Sequence, residues 1–321
     1  MTAATLTVTV SRKWQEAPDI CGFEFTSKDG SPLPPFAAGA HIDVHLRDGL
    51  VRQYSLCNSM DNSTHYQIAV LRDANGRGGS LAMHDTVHEG DSIEISEPKN
   101  HFPLAQNASR HLLLAGGIGI TPILCMAERL SSIGDEFELH YCSRTSERTA
   151  FIPRIQASRF CDKVAFHFDD GDQSQKLDLE AAVANAPEGT HLYVCGPRGF
   201  MDAVLETARR QKWDEARLHY EFFNGIIDKP ANDKAFKIRL ASSGITLDVA
   251  PECTVIEALA AGGIEVPTSC EQGVCGTCLT RIIEGEPDHR DSYLTEDEKA
   301  AGDHFLPCCS RARTPLLVLD L

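Results

Sequence analysis

Near its carboxyl end the chain reads Ser269-Cys270-Glu-Gln-Gly-Val-Cys275-Gly-Thr-Cys278, and later Pro307-Cys308, so four cysteines are separated by four, two and twenty-nine residues. That C-x4-C-x2-C...C spacing is the plant-type arrangement for a 2Fe-2S cluster, in which four thiolates complete both irons. Three sulfurs on one loop need a sharply bent backbone, which Gly273 and Gly276 permit. Backbone N-H groups turned toward the sulfurs then help set the potential. A zinc module instead pairs two short knuckles across a spacer, whereas here there is one loop and a lone fourth thiol. Cys309, beside Cys308, is the rival for the fourth position.

The remaining cysteines of the twelve need a blander reading. Residues 1–14 have no charged segment followed by an apolar core, so no secretory signal is expected. The longest apolar stretch, 112–127, is broken by Gly116, Gly117, Gly119 and Pro122, well short of the ~20 residues that span a bilayer. The expectation is a cytoplasmic chain whose other thiols are reduced and mostly packed in cores. Acidic residues outnumber basic ones 46 to 30, a formal charge of -16, so a nucleic-acid partner is not expected.

A length of 321 residues suggests two or three domains. In the first third, apolar residues alternate in short runs, Leu6, Val8, Val10, then Ile42, Val44, Leu46, then Tyr66, Ile68, Val70, with turn residues between. Period two predicts half-buried antiparallel strands in a small β-barrel or sandwich. From His111 the pattern becomes continuous apolar strands, 112–115, 137–141, 164–168 and 191–195, with helices expected over 122–130, 177–184 and 200–210. That is a doubly wound α/β domain with a parallel sheet. Residues 224–233 carry linker residues, and an alternating pair, 236–240 and 245–249, follows. The expected domains are 1–107, 108–226 and 234–321. In the last, Thr295 and Glu298 form a capping box, and Glu296, Asp297 and Glu298 read as its solvated first turn.

Two glycine turns of the middle domain suit a nucleotide. Gly116-Gly117-Ile-Gly119-Ile-Thr121-Pro122 joins a strand to a helix, where N-H groups are free for a phosphate, with Pro122 expected at the first helical position. It is not G-x-G-x-x-G. Tyr193-Val-Cys195-Gly196-Pro197 repeats the strand-to-helix junction, and ligands of open α/β sheets bind outside such carboxyl ends. In the β domain, Arg52-Gln53-Tyr54-Ser55 and Gly76-Arg77-Gly78-Gly79-Ser80 offer a cation, an aromatic, hydroxyls and a glycine-rich helix start. His41 and His45 share a strand face with no companion ligand and read as surface histidines.

Taken in order, R-x-Y-S, G-R-G-G-S, G-G-I-G-I-T-P, C-G-P and C-x4-C-x2-C...C make the whole chain resemble the phthalate dioxygenase reductase family, whose close relatives include the reductases of vanillate O-demethylases. The resemblance implies an antiparallel FMN-binding β-barrel, an NAD-binding α/β domain and a β-grasp ferredoxin domain. It places Arg52, Gln53, Tyr54 and Ser55 against the flavin, and Gly79 and Ser80 near its phosphate. Gly117, Gly119 and Thr121 inherit the pyrophosphate of NADH. Ser55 and Cys195 fall beside the reacting rings as the catalytic pair, and Phe223, of the pair Phe222-Phe223, covers the flavin. Asp169 and Asp170 end a strand where the adenosine ribose is expected, and carboxylates there favour NADH over NADPH. Arg144 and Arg148 are the residues that could receive a 2'-phosphate instead.

The chemistry explains why three such parts share a chain. NADH gives two electrons together as hydride, a 2Fe-2S cluster takes one at a time, and flavin handles both. The expected relay runs from NADH through FMN and the cluster to a protein acceptor, in the resembled family a Rieske-type non-haem iron oxygenase. The chain itself is expected to be a monomer. Two other readings stand beside this one: the same relay serving a haem monooxygenase, and a non-enzymatic protein with a structural four-cysteine metal site.

Overall fold

A computed structural model describes residues 5–62, 64–223, 233–268 and 270–321. The expected linker residues 224–232 and Ser269 of the cysteine motif lie outside the described residues. The chain forms two compact units, 1–221 and 222–321.

The first unit opens with β1 (Thr5–Ala17), β2 (Ile20–Ser27), β3 (His41–His45), β4 (Val51–Ser55), β5 (His65–Leu71), helix α1 (Gly79–Thr86) and β6 (Ser92–Ser96). The strands form one antiparallel sheet in the order β4-β3-β6-β1-β2-β5. Alternation works as the sequence suggests: Val8, Val10, Ile42, Val44, Tyr66 and Ile68 are almost fully buried. Just past β4, the Cys57 amide donates to Gln67 O of β5 (2.9 Å), so the edge strands meet and the sheet curls into a barrel. His41 is not at the surface. It is 4% exposed, packed 5.4 Å from the His101 ring.

The unit continues with β7 (Arg110–Gly116), α2 (Ile120–Ile133), β8 (Phe137–Ser143), α3 (Ile152–Gln156), β9 (Val164–Phe168), α4 (Leu179–Ala184), β10 (Thr190–Cys195), α5 (Arg198–Arg210) and β11 (Leu218–Glu221). All four strand pairings are parallel, in the order β11-β10-β7-β8-β9. The order reverses at β7 and β10, so the two glycine turns stand side by side at the switch point. A 3-10 turn at Gly117–Gly119 precedes α2, which puts Pro122 third in the helix rather than first. Helix α3 escapes the sequence because it is one turn long and begins after Phe151, whose φ of 64° has no sequence signal.

The second unit holds β12 (Phe236–Leu240), β13 (Thr246–Val249), α6 (Val255–Ala261), β14 (Thr280–Glu284), β15 (Pro287–Asp288), α7 (Glu296–Ala301), β16 (His304–Phe305), β17 (Arg311–Ala312) and β18 (Leu316–Leu319). Its main sheet runs β13-β12-β18-β14-β16, with the central pair β12 and β18 parallel, and α6 packs its Val255 and Leu259 onto Ile238, Ile282, Leu317 and Leu319. Thr254 with Glu257 and Thr295 with Glu298 cap α6 and α7 reciprocally, the second as the sequence predicts. This is a β-grasp layout, one helix across a mixed sheet. Among the described residues no helix is long and apolar enough to cross a membrane.

Candidate functional site

The barrel side of the site is built on β4. Successive strand residues point to opposite faces, so Arg52 and Tyr54 part company with Gln53 and Ser55. The Arg52 guanidinium donates to Arg77 O (2.8 Å), and a Cβ on Gly79 would collide with its side chain. Arg52 and the Gly76–Ser80 loop are thus brought together, with Gly78 at φ 80° turning the chain into α1. The first amides of α1 and the Arg52 side chain, packed against Gly79, thus lie together, an arrangement suited to an anion. Ser80 Oγ is engaged within the loop, accepting from the Asp73 amide at 3.0 Å. Gln53 does not join this group. Its amide donates to His41 Nε2 (3.1 Å) and Asp43 Oδ1 (3.2 Å), while Lys99 Nζ lies 2.6 Å from Asp43 Oδ2.

At the switch point, a Cβ on Gly119 would collide with the Cys195 carbonyl, and one on Gly196 would lie 2.8 Å from Gly116 Cα. Only glycine lets the two turns pack backbone to backbone. Gly117, at φ 51°, has nothing within 4 Å of its missing Cβ and faces open space. Thr121 does not face that space. It is 2% exposed and its hydroxyl donates to Ile118 O at 3.1 Å, so it shapes the turn. Asp169 and Asp170 follow β9, exposed, with their amides bonded to Ser143 O and Arg144 O. Arg148 is paired with Asp19 of the barrel at 2.7 Å.

Ser55, Cys195 and Glu221 meet between barrel and sheet. Ser55 Oγ donates to Glu221 Oε2 (3.3 Å). Burial pushes the Glu221 carboxyl up to about 7 and, aided by Glu221, pushes the Cys195 thiol well above its ordinary value. Cys195 is fully buried and therefore a neutral thiol rather than a nucleophile. Glu221 is the residue that sequence reasoning missed. Its signal was present: it is the last residue of the strand bordering Cys195, beside the Phe222-Phe223 pair. Phe223, two residues beyond β11, is half-buried.

A cavity of about 410 Å³ lined by Arg110, His140, His167 and Thr190 opens toward the other ends of the strands, since Arg110 and Thr190 begin β7 and β10. It is separate from the glycine turns.

In the second unit the four motif cysteines are buried. The thiols form one cluster: Cys270 meets Cys275 and Cys308, and Cys308 also meets Cys278 and Cys309. Those thiol hydrogen bonds, and then the amides of Gln272 (3.3 Å) and Val274 (3.5 Å), pull Cys270 below the ordinary thiol range. The Thr277 amide points at Cys275 Sγ (3.5 Å). Cys309 Sγ turns toward Leu306 O (3.7 Å). Four clustered, buried thiols with backbone N-H groups aimed at their sulfurs are a donor set that fits a 2Fe-2S cluster.

Comparison with known proteins agrees. Residues 238–313 match the 2Fe-2S iron-sulfur cluster binding domain, and residues 94–218 match the N-terminal domain of dimethylamine monooxygenase subunit DmmA-like proteins. Vanillate O-demethylase oxidoreductase of Pseudomonas sp. (strain HR199 / DSM 7063) is 53% identical over 305 residues, 95% of this chain and 96% of that one. The solved structure of phthalate dioxygenase reductase, described as modular for electron transfer from pyridine nucleotides to [2Fe-2S], superimposes with a TM-score of 0.77 at 39% identity, covering 99% of this chain and 98% of that one. The chain belongs to the phthalate dioxygenase reductase family. It is an electron-transfer oxidoreductase whose redox groups are NADH, FMN and a 2Fe-2S cluster. An intact type IV self-sufficient cytochrome P450 monooxygenase contains a similar part, with a TM-score of 0.85 and 37% identity over 99% of this chain and 41% of that one.

Proposed function

We propose that this chain is the reductase of a Rieske-type non-haem iron oxygenase or O-demethylase that acts on an aromatic acid, with domains 1–107 for FMN, 108–226 for NADH and 234–321 for the cluster. The observation that carries the electron-transfer reading is the clustering of the buried thiols of Cys270, Cys275, Cys278 and Cys308 at the plant-type spacing; the 53% identity to a vanillate O-demethylase oxidoreductase supports the choice of partner. The bound flavin supplies the exchange between two-electron and one-electron transfer. The protein's own groups bind, orient and hold protons.

In this reading Arg52 and the α1 amides with Gly79 and Ser80 take the FMN phosphate, Tyr54 meets the ring from the Arg52 face of β4, and Ser55, the last residue of the strand, reaches it beside Glu221. Phe223 covers it. Gly117, Gly119 and Thr121 shape the dinucleotide turn, with Gly117 leaving the backbone open to pyrophosphate. Asp169 and Asp170 receive the ribose, and the pairing of Arg148 with Asp19 removes one cation that a 2'-phosphate would need. Cys195 is a neutral spacer beside the nicotinamide, and Ser55 with Glu221 holds a proton next to it. Cys270, Cys275, Cys278 and Cys308 ligate the cluster. Gln53 lies along the ring as well, its side chain fixed by His41 and Asp43. The chain acts as a cytoplasmic monomer, in keeping with twelve unbridged cysteines.

The test mixes purified chain and NADH with a vanillate-type oxygenase or with a haem monooxygenase. Turnover of an aromatic acid with the first supports the proposal. The likeness to part of a P450 favours a second reading, the same relay serving haem, and turnover with the second partner alone would establish it.

A further inference from the structure

Three of the four thiols stand on one loop and the fourth on a turn thirty residues later; the described residues show what joins them. Between the two runs lies the strap 289–294, organised by Asp291, whose side chain has no exposure. Asp291 Oδ2 accepts from the amides of Tyr293 (3.2 Å) and Leu294 (2.8 Å). Its Oδ1 accepts from Ser310 Oγ (3.4 Å), two residues past Cys308, and Ser310 Oγ in turn accepts from the Arg290 amide (3.1 Å). Toward the other ligand-bearing segment, the Ser292 amide donates to Gly273 O (3.0 Å), and a Cβ on Gly273 would lie 2.9 Å from Asp291 Cβ. The Asp291 carboxylate therefore bonds the turn that carries Cys308, and the strap it folds bonds the 270–278 loop through the Ser292 amide. His289 Nδ1 lies 3.5 Å from its Oδ1.

We propose that Asp291 is a positioning residue for the cluster: it holds the 270–278 loop and the 308–310 turn in register, and its carboxylate lowers the reduction potential. Charge in a low-dielectric setting acts strongly on its neighbours, and net charge around a cluster is one of the terms that set its potential. A negative group here disfavours the added electron. The proposal rests on the assignment of the four cysteines made above.

The experiment compares full-length wild type, Asp291→Asn, Asp291→Ala and Ser310→Ala for iron and acid-labile sulfide, and for midpoint potential by redox titration followed by electron paramagnetic resonance. Asp291→Asn keeps an acceptor for the amides, so it is expected to retain the cluster with its potential shifted upward. Asp291→Ala is expected to lose cluster on challenge with a chelator. Ser310→Ala leaves the carboxylate and is expected to keep the wild-type potential. If Asp291→Ala does not fold, the other two variants decide. A wild-type potential in Asp291→Asn overturns the inference alone, whereas a wild-type chain without iron or sulfide overturns the cysteine assignment and this inference with it.

Discussion

Ser55 and Glu221, 166 residues apart in the chain, share a hydrogen bond of 3.3 Å that joins the barrel to the last strand of the α/β sheet. Burial keeps the Glu221 proton up to about pH 7, so this contact changes character near neutrality. NADH oxidation with a two-electron dye is expected to show a pH step near 7. Glu221→Gln, which cannot ionise, is expected to abolish the step, and a pH profile of kcat for both proteins reads it directly.

Two partly buried groups pull stability in opposite directions with pH. The Glu221 carboxyl is raised from 4.5, so the folded chain binds its proton more tightly than the unfolded chain does. That contribution is full below about 4.5 and is lost as pH rises through about 7. His219 is lowered from 6.5 to about 4 by burial and by His191 and His111, with the His191 ring 5.1 Å away. Between pH 6.5 and 4 the unfolded state takes the proton first, and stability falls on acidification. His219→Gln is expected to unfold less readily than wild type at pH 5 relative to pH 7, and Glu221→Gln to show the reverse. Urea titrations at the two pH values check both signs.

Arg52 packs against Gly79 at the start of α1, where the proposed function puts the FMN phosphate. Arg52→Ala removes a charge-assisted contact worth about 1.5–3 kcal/mol, which corresponds to about 10- to 100-fold weaker FMN binding. Fluorescence titration of the deflavinated protein measures it, with cluster absorbance unchanged as the control.

Residues 234–321 contain 14 acidic and 8 basic side chains, a net charge of -6. If the proposed oxygenase partner presents a basic dock, electrostatics act mainly on the encounter rate. Stopped-flow reduction of the oxygenase is expected to slow as salt rises through 0.1 M, where the Debye length is about 10 Å. A rate indifferent to salt contradicts the dock.

Much of this was legible in the sequence, for physical reasons that differ by element. Strand periodicity reports burial directly, so Val8, Ile42 and Ile68 located the barrel core, and continuous runs such as 112–115 located the parallel sheet. Cysteine spacing encodes a ligand loop because the loop's geometry is local. The errors arose where a side chain's fate depends on a distant partner. His41 looked exposed by pattern but is buried beside His101. Thr121 caps its own turn. Neither the Ser55–Glu221 contact nor the Asp291–Ser310 contact has a local signature, since each joins residues brought together only by the completed fold.

The central claim, that electrons pass from NADH to a cluster held by Cys270, Cys275, Cys278 and Cys308, is tested most directly by anaerobic titration of wild type and Cys275→Ser with NADH, followed by cytochrome c reduction. The account predicts that both proteins bleach flavin absorbance and reduce a two-electron dye, while only wild type bleaches the iron-sulfur bands and reduces cytochrome c. Equal cytochrome c reduction by the two proteins, or a wild-type chain without iron and acid-labile sulfide, would contradict it.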